Sequence, residues 1–180
     1  MLYSLFWKIP ALILFLLLFG KSPEGKAALL EGAVFRPARD FPALALCFPV
    51  LLLSGYLVSF LAAFSGFPPF PVPFPAGALA WAVVVLASLS TGYLEEAYFR
   101  IFLPAQCAFL GRFAGFWFPI LLFGLCHAYE GLWGFINAFL AGFFLSLAYR
   151  KTLSLHGIAL AHGFYNISVY LMAALDSLWK

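Results

Sequence analysis

The chain has 180 residues, of which 65% are hydrophobic, 20% aromatic and only 9% charged, with a formal net charge of +3. A soluble domain carries about a quarter charged residues, and no core of this size hides so much apolar surface; a water-soluble globule is excluded and lipid is the expected solvent. The small positive charge bears on orientation in a bilayer and does not point to nucleic acid. Cys47, Cys107 and Cys126 each lie in an apolar stretch, show neither disulfide nor metal spacing, and read as packing residues.

A spanning helix needs about 20 mostly apolar residues, and six stretches meet or approach that length. The first runs from about Leu2 to Gly20; no small-residue cleavage site follows, and "GKSPEGK" comes next, so it reads as an uncleaved span. The second runs from about Phe41 to Phe64, with Pro42 and Pro49 near its start. The proline-rich "SGFPPFPVPFP", Ser65 to Pro75, cannot continue a helix, and its aromatic residues suit an anchor at the membrane interface. The third span starts near Ala76 and can run to Leu103, where Pro104 stops it. It would be about 40 Å long, against a hydrocarbon layer of about 30 Å, so it tilts or protrudes. The fourth covers about Gly115 to Tyr129, the fifth about Leu132 to Tyr149 and the sixth about Ser154 to Leu175. The expected fold is all-α: a polytopic integral membrane bundle of about six helices, forming a single domain over residues 1–180.

Lysine and arginine set the orientation. Lys21, Lys26, Arg36 and Arg39 precede the second span, Arg112 precedes the fourth, and Arg150 and Lys151 precede the sixth. With six spans these loops share one side, predicted to be cytoplasmic, and both termini lie outside.

Against this background "TGYLEEAYFR", Thr91 to Arg100, stands out. A charge at mid-span costs about 2.5–3.5 kcal/mol on insertion scales and points to function by default. Glu96 and Arg100 are four apart, share a helix face and can pair. Glu95 is rotated by about 100° from Glu96 and about 140° from Arg100, so it needs another partner. An Arg–Glu cluster that merely holds helices together is the alternative. Gly92, one turn earlier, leaves room for close helix packing or for a substrate backbone, and packing is the preferred reading.

Other polar residues interrupt the apolar spans: His127 in "FGLCHAYEG", and His162 with Asn166 in "LAHGFYN". His162 and Asn166 are four apart and share a face. Each needs a hydrogen-bonding partner inside lipid, and the most economical partners are one another. Glu95, eight residues before Leu103, and His162, eight after Ser154, both sit about 12 Å from the basic side; His127 is about 18 Å along the fourth span. The three can meet at a common level nearer the cytoplasm.

Desolvation makes a carboxylate a better general base, and imidazole and amide donors on a facing helix can stabilise a developing oxyanion. That combination suits hydrolysis of a peptide bond by an activated water, with no covalent intermediate. No nucleophile has comparable support: Ser154 is explained as a helix cap, while Ser168 and Cys126 have no evident base. Two histidines and a glutamate can also hold zinc, but there is no "HExxH" and the residues come from separate spans, so no cofactor is expected. His156 reads as an interface residue near the basic loop.

"EEAYFR", Glu95 to Arg100, resembles the EExxxR motif of the CPBP intramembrane proteases, also called Abi-like proteins, which include the Rce1-type CAAX prenyl endopeptidases. "FGLCH", Phe123 to His127, resembles the family's FxxxH motif, and "HGFYN", His162 to Asn166, its HxxxN motif. The resemblance implies a glutamate-dependent intramembrane protease with a catalytic core over about 76–175. By position, Glu95 is the general base, His127 orients the water, His162 and Asn166 form the oxyanion site, and Glu96, Arg100 and Phe123 support them. It implies no cofactor, a membrane-associated peptide or protein as substrate, and a bacterial inner membrane as location, with the active site nearer the cytoplasm. The chain is shorter than eukaryotic Rce1-type enzymes, which weighs against a prenylated substrate. The alternative within the same family is a non-enzymatic immunity or scaffold protein. Transport is disfavoured by the absence of an inverted repeat.

Overall fold

The computed structural model describes residues 23–32, 34–67 and 71–178, and every regular element among them is helical. Six helices follow in order: α1 (Pro23–Gly32), α2 (Pro37–Phe64), α3 (Ala78–Gln106), α4 (Gly111–Leu125), α5 (Gly131–Thr152) and α6 (Leu155–Leu178). Five segments containing α2 to α6 are long and apolar enough to cross a membrane, and the chain is an integral membrane protein. The expected first span, Leu2 to Gly20, lies outside the described residues. The outer faces of the helices are strongly apolar: Leu53, Leu79 and Phe113 are each more than two-thirds exposed. In water that surface would drive aggregation; in lipid it is the appropriate solvent contact.

The chain sets each helix with local chemistry. Pro37 opens α2, and Asp40 reaches back to accept a 2.6 Å hydrogen bond from the Arg36 backbone N–H. The Ser154 hydroxyl accepts a 3.0 Å bond from Gly157 N–H at the start of α6 and donates to Asp40. Ser154 is therefore a cap, as its position predicts, and it also locks α6 to α2. The α4 and α5 helices each follow a 3₁₀ turn and begin at a glycine with positive φ, Gly111 (81°) and Gly131 (84°). Beyond α2, which ends at Phe64, residues 71–76 of the proline stretch form no helix. Trp133 at the start of α5 holds that turn by donating to the Ser65 hydroxyl at 3.0 Å.

Two elements differ from the sequence reading. The basic stretch before α2 contains α1, too short for a spanning pattern, which packs against the C-terminal part of α3 where Gly32 meets Ile101. Pro104 does not end α3. The α-helical part stops at Glu96, residues Ala97–Phe102 form a π-helical segment, and a last α turn takes in Pro104 and ends at Gln106. The i→i+5 bond from Leu103 N–H to Tyr98 C=O marks the wider turn. Proline fits here because it stands in the first turn of the renewed α-helix, where its missing N–H leaves no bond unmade.

α6 lies against both α2 and α3, and α5 against α2 and α4. Leu51, Phe123, Leu145, Ile158 and Ala161 fill the interior between them. The α3–α6 contact depends on glycine. A Cβ on Gly92 would run into the Ala159 carbonyl oxygen and stand 2.9 Å from Gly163 N, and one on Gly163 would stand 2.9 Å from Leu89. The preferred reading of Gly92 as a packing residue is what the structure contains.

Gly92→Val is therefore expected to lower stability by at least about 1–3 kcal/mol, because the obstacle is backbone. At Gly115 a new Cβ would find only an ordinary 3.5 Å contact, so Gly115→Ala should be neutral or stabilising by up to about 1 kcal/mol through helix propensity. Thermal unfolding in detergent measures both; equal losses would contradict the packing argument.

Candidate active site

Glu96 is the centre of the polar cluster. It is fully buried, and the π segment that begins just after it carries Arg100 on the same side. Arg100 Nε lies 2.9 Å from Glu96 Oε2, and Nη2 donates to Oε1 at 3.4 Å. The pairing expected from the spacing is present, and the guanidinium is itself only 4% exposed. From α6, His162 Nδ1 lies 2.8 Å from Glu96 Oε1. A carboxylate that accepts from both an arginine and an imidazole has the partners that a buried anion requires.

Glu95 occupies a different environment one residue away. Its side chain is 20% exposed, and Oε2 stands 3.9 Å from His162 Nε2. His162 thus lies between the two glutamates, with one ring nitrogen directed to each.

His127 is not inside a span. α4 starts earlier than expected and ends at Leu125, so His127 falls in the connection to α5. It donates from Nδ1 to the Phe123 carbonyl at 2.9 Å, which leaves Nε2 as the lone-pair nitrogen of the neutral ring. Phe123 carries the cluster across to α4. Its buried ring lies 4.8 Å from the His127 ring, 5.9 Å from His162 and 5.0 Å from Phe99, and the Arg100 guanidinium sits 5.0 Å from its centroid. That cation–π contact adds to the support Glu96 gives a buried guanidinium. Asn166 follows one turn after His162 on α6 and is half-buried; none of the bonds in the cluster runs to it. Partial desolvation, and then the Glu95 carboxylate, raise the Cys126 thiol above its ordinary range. Cys126 is thus a poor nucleophile.

The structure therefore brings Glu95, Glu96, Arg100 and His162 together directly and joins His127 to them through Phe123. A further polar tie was missed: Asn137 Nδ2 donates to the Tyr165 hydroxyl at 2.9 Å, fastening α5 to α6. The same signal that singled out His127, an amide or imidazole inside an apolar run, applies to "GFINAFLAG". His156 bonds Tyr93 through Nδ1 at 3.0 Å and packs on Phe35, so it ties α6 to α3 near the basic stretch before α2.

A bundle of membrane-spanning helices that buries an acid–imidazole–guanidinium cluster between three of them defines a polytopic membrane protein with an internal polar site. The type II CAAX prenyl endopeptidase Rce1-like family model matches residues 77–168, just over half of the chain and enough to include all three motifs. The chain belongs to this family of membrane proteases. No curated protein and no solved structure matches it significantly.

Replacing Arg100 by Met leaves Glu96 buried with only His162, and is expected to destabilise by about 3–5 kcal/mol. The pair Glu96→Gln with Arg100→Met removes both charges and should cost less than the sum of the single changes. A double-mutant cycle by unfolding in detergent tests this; additive losses would contradict a coupled pair.

Proposed function

We propose that the protein is an intramembrane endopeptidase in which Glu95 activates water against a peptide bond of a membrane-associated peptide or protein. The observation that carries this reading is the contrast between the two glutamates: Glu96 is fully buried and held by Arg100 and His162, while Glu95 is partly open and faces His162 Nε2 at 3.9 Å. A carboxylate that must bind water and move a proton needs access, and Glu95 has it.

The imidazoles divide the remaining work. With Nδ1–H given to the Phe123 carbonyl, neutral His127 offers Nε2 as an acceptor that orients a water hydrogen. With Nδ1 held against Glu96, His162 directs Nε2 toward the Glu95 side, where an oxyanion would form. Asn166, one turn along the same face, supplies an amide donor for the same oxygen.

In this mechanism the water oxygen attacks the carbonyl carbon as Glu95 takes its proton. The tetrahedral oxyanion is held by His162 and Asn166. On collapse the C–N bond breaks, Glu95 passes the proton to the leaving nitrogen, and the products are an amine and a carboxylate. No step uses a covalent enzyme intermediate or a metal. Glu95 and His162 stand nearer the ends of α3 and α6 that adjoin the basic residues, while His127 lies in the α4–α5 connection at the opposite end from Arg112 and Arg150; in this reading the basic end faces the cytoplasm of a bacterial inner membrane.

Glu95→Gln keeps the shape of the side chain and removes the base, so cleavage of a membrane-anchored peptide by purified protein should fall about 10²–10⁴-fold while thermal unfolding is unchanged. Equal cleavage by variant and wild type would sink Glu95 as the base. A chelator should leave cleavage intact; loss that zinc restores would replace this mechanism with a metal-dependent one.

A further inference from the structure

A cavity of about 190 Å³ opens between α3, α4 and α5. It lies where α3 and α5 end and α4 begins, so it sits at the end of the bundle carrying Arg112, Arg150 and Lys151. Arg100 and Arg150 line it together with Ser146 and Tyr149, and no acidic residue among the described residues does. Arg100 is the informative member. Its Nε and Nη2 face Glu96, but Nη1 is buried with no hydrogen-bond partner among the described residues. A buried charged N–H left unmatched is costly, and the cavity beside it is the place for a missing acceptor. Arg150 stacks over the Phe116 ring at 4.4 Å and pairs with no carboxylate among the described residues.

We propose that this cavity is an anion site, distinct from the Glu95 side of the cluster, and that it takes the phosphate group of an anionic phospholipid. Two guanidiniums and two hydroxyls supply more donors than a planar carboxylate can use, and they suit a phosphate with its several acceptor oxygens. The source follows from position. The basic end of a membrane bundle is where headgroup phosphates concentrate, and the remaining wall is apolar, with Phe99, Phe116 and Pro119 available to the glycerol and upper acyl chain. Occupancy would supply Nη1 with its acceptor and steady Arg100, and through it Glu96. The bilayer's own headgroup would thus act as a structural ligand behind the polar cluster.

The test reads binding, so its outcome is independent of whether Glu95 cleaves anything. The full chain in detergent is titrated with phosphatidylglycerol and, separately, with inorganic phosphate, and its melting temperature is followed. Retention of the lipid is checked by native mass spectrometry. A rise in melting temperature with phosphatidylglycerol alone assigns the site to a headgroup, and a rise with inorganic phosphate as well assigns it to the phosphate group itself. In either case Arg150→Gln should weaken the apparent affinity roughly tenfold or more, as loss of a charge-assisted hydrogen bond predicts, and Tyr149→Phe should weaken it less. Because Arg150 is exposed, its variant should fold. No response of the wild type to either ligand, or an equal response of wild type and Arg150→Gln, would overturn the proposal. A response to a peptide with a free C-terminal carboxylate, absent for its amide and for phosphate, would also overturn it, in favour of a carboxylate site.

Discussion

The ligation of one buried carboxylate is the constraint from which the rest of the site follows. Glu96 has no access to water, and an isolated anion at that depth would be far too costly. Arg100 answers it from the next turn of the same helix and His162 from α6. Two consequences come at once. Because His162 must reach across, α3 and α6 must approach closely, and Gly92 and Gly163 remove the side chains that would keep them apart. Because the guanidinium must be buried beside the carboxylate, something apolar has to cover it, and the Phe123 ring from α4 does so. Three helices are thereby positioned around one charge.

The π segment is the backbone's part in that arrangement. Residues 99–103 are all buried, which an ordinary amphipathic helix face does not achieve. The wider turn lies where α1, α4 and α6 close around α3: Ile101 and Leu155 meet Gly32, and Phe99 packs edge-on against Phe123. π turns occur mostly as local insertions at functional sites, and here the segment starts directly after the glutamates. Its effect is to let Arg100 face Glu96 while its neighbours on either side are buried too.

Much of this was legible in the chain, for identifiable reasons. Apolar length is a strong signal because lipid tolerates so few backbone solutions, so the spans from Phe41 onward emerged with only their ends displaced. The Glu96–Arg100 pair was legible because four-residue spacing is nearly a geometric statement, and the capping role of Ser154 because a hydroxyl just before a helix has one common use. What was hidden depended on partners distant in sequence. Nothing local separates a helix-ending Pro104 from one that fits the first turn after a π segment. The displacement of His127 out of its span followed from the early start of α4 at Gly111, set by a positive-φ glycine rather than by hydropathy. That His162 bonds Glu96 directly and meets Glu95 only at 3.9 Å could not be read from shared depth, which brings residues to one level without choosing among them.

Two glutamates adjacent in the chain thus acquire opposite characters through rotation alone. A step of about 100° turns Glu96 into the α3–α6 interface, where every oxygen faces a cation or an imidazole. The same step leaves Glu95 at the edge of that interface, one-fifth open, with His162 beside it. The buried residue cannot take part in chemistry that exchanges water, because its ligation is what holds the helices together. The open one meets His162 at 3.9 Å, longer than a direct hydrogen bond. His162, touching both, transmits the rigidity of the first to the position of the second. A fixed imidazole beside a partly open carboxylate is the local order that the proposed hydrolysis by activated water would use.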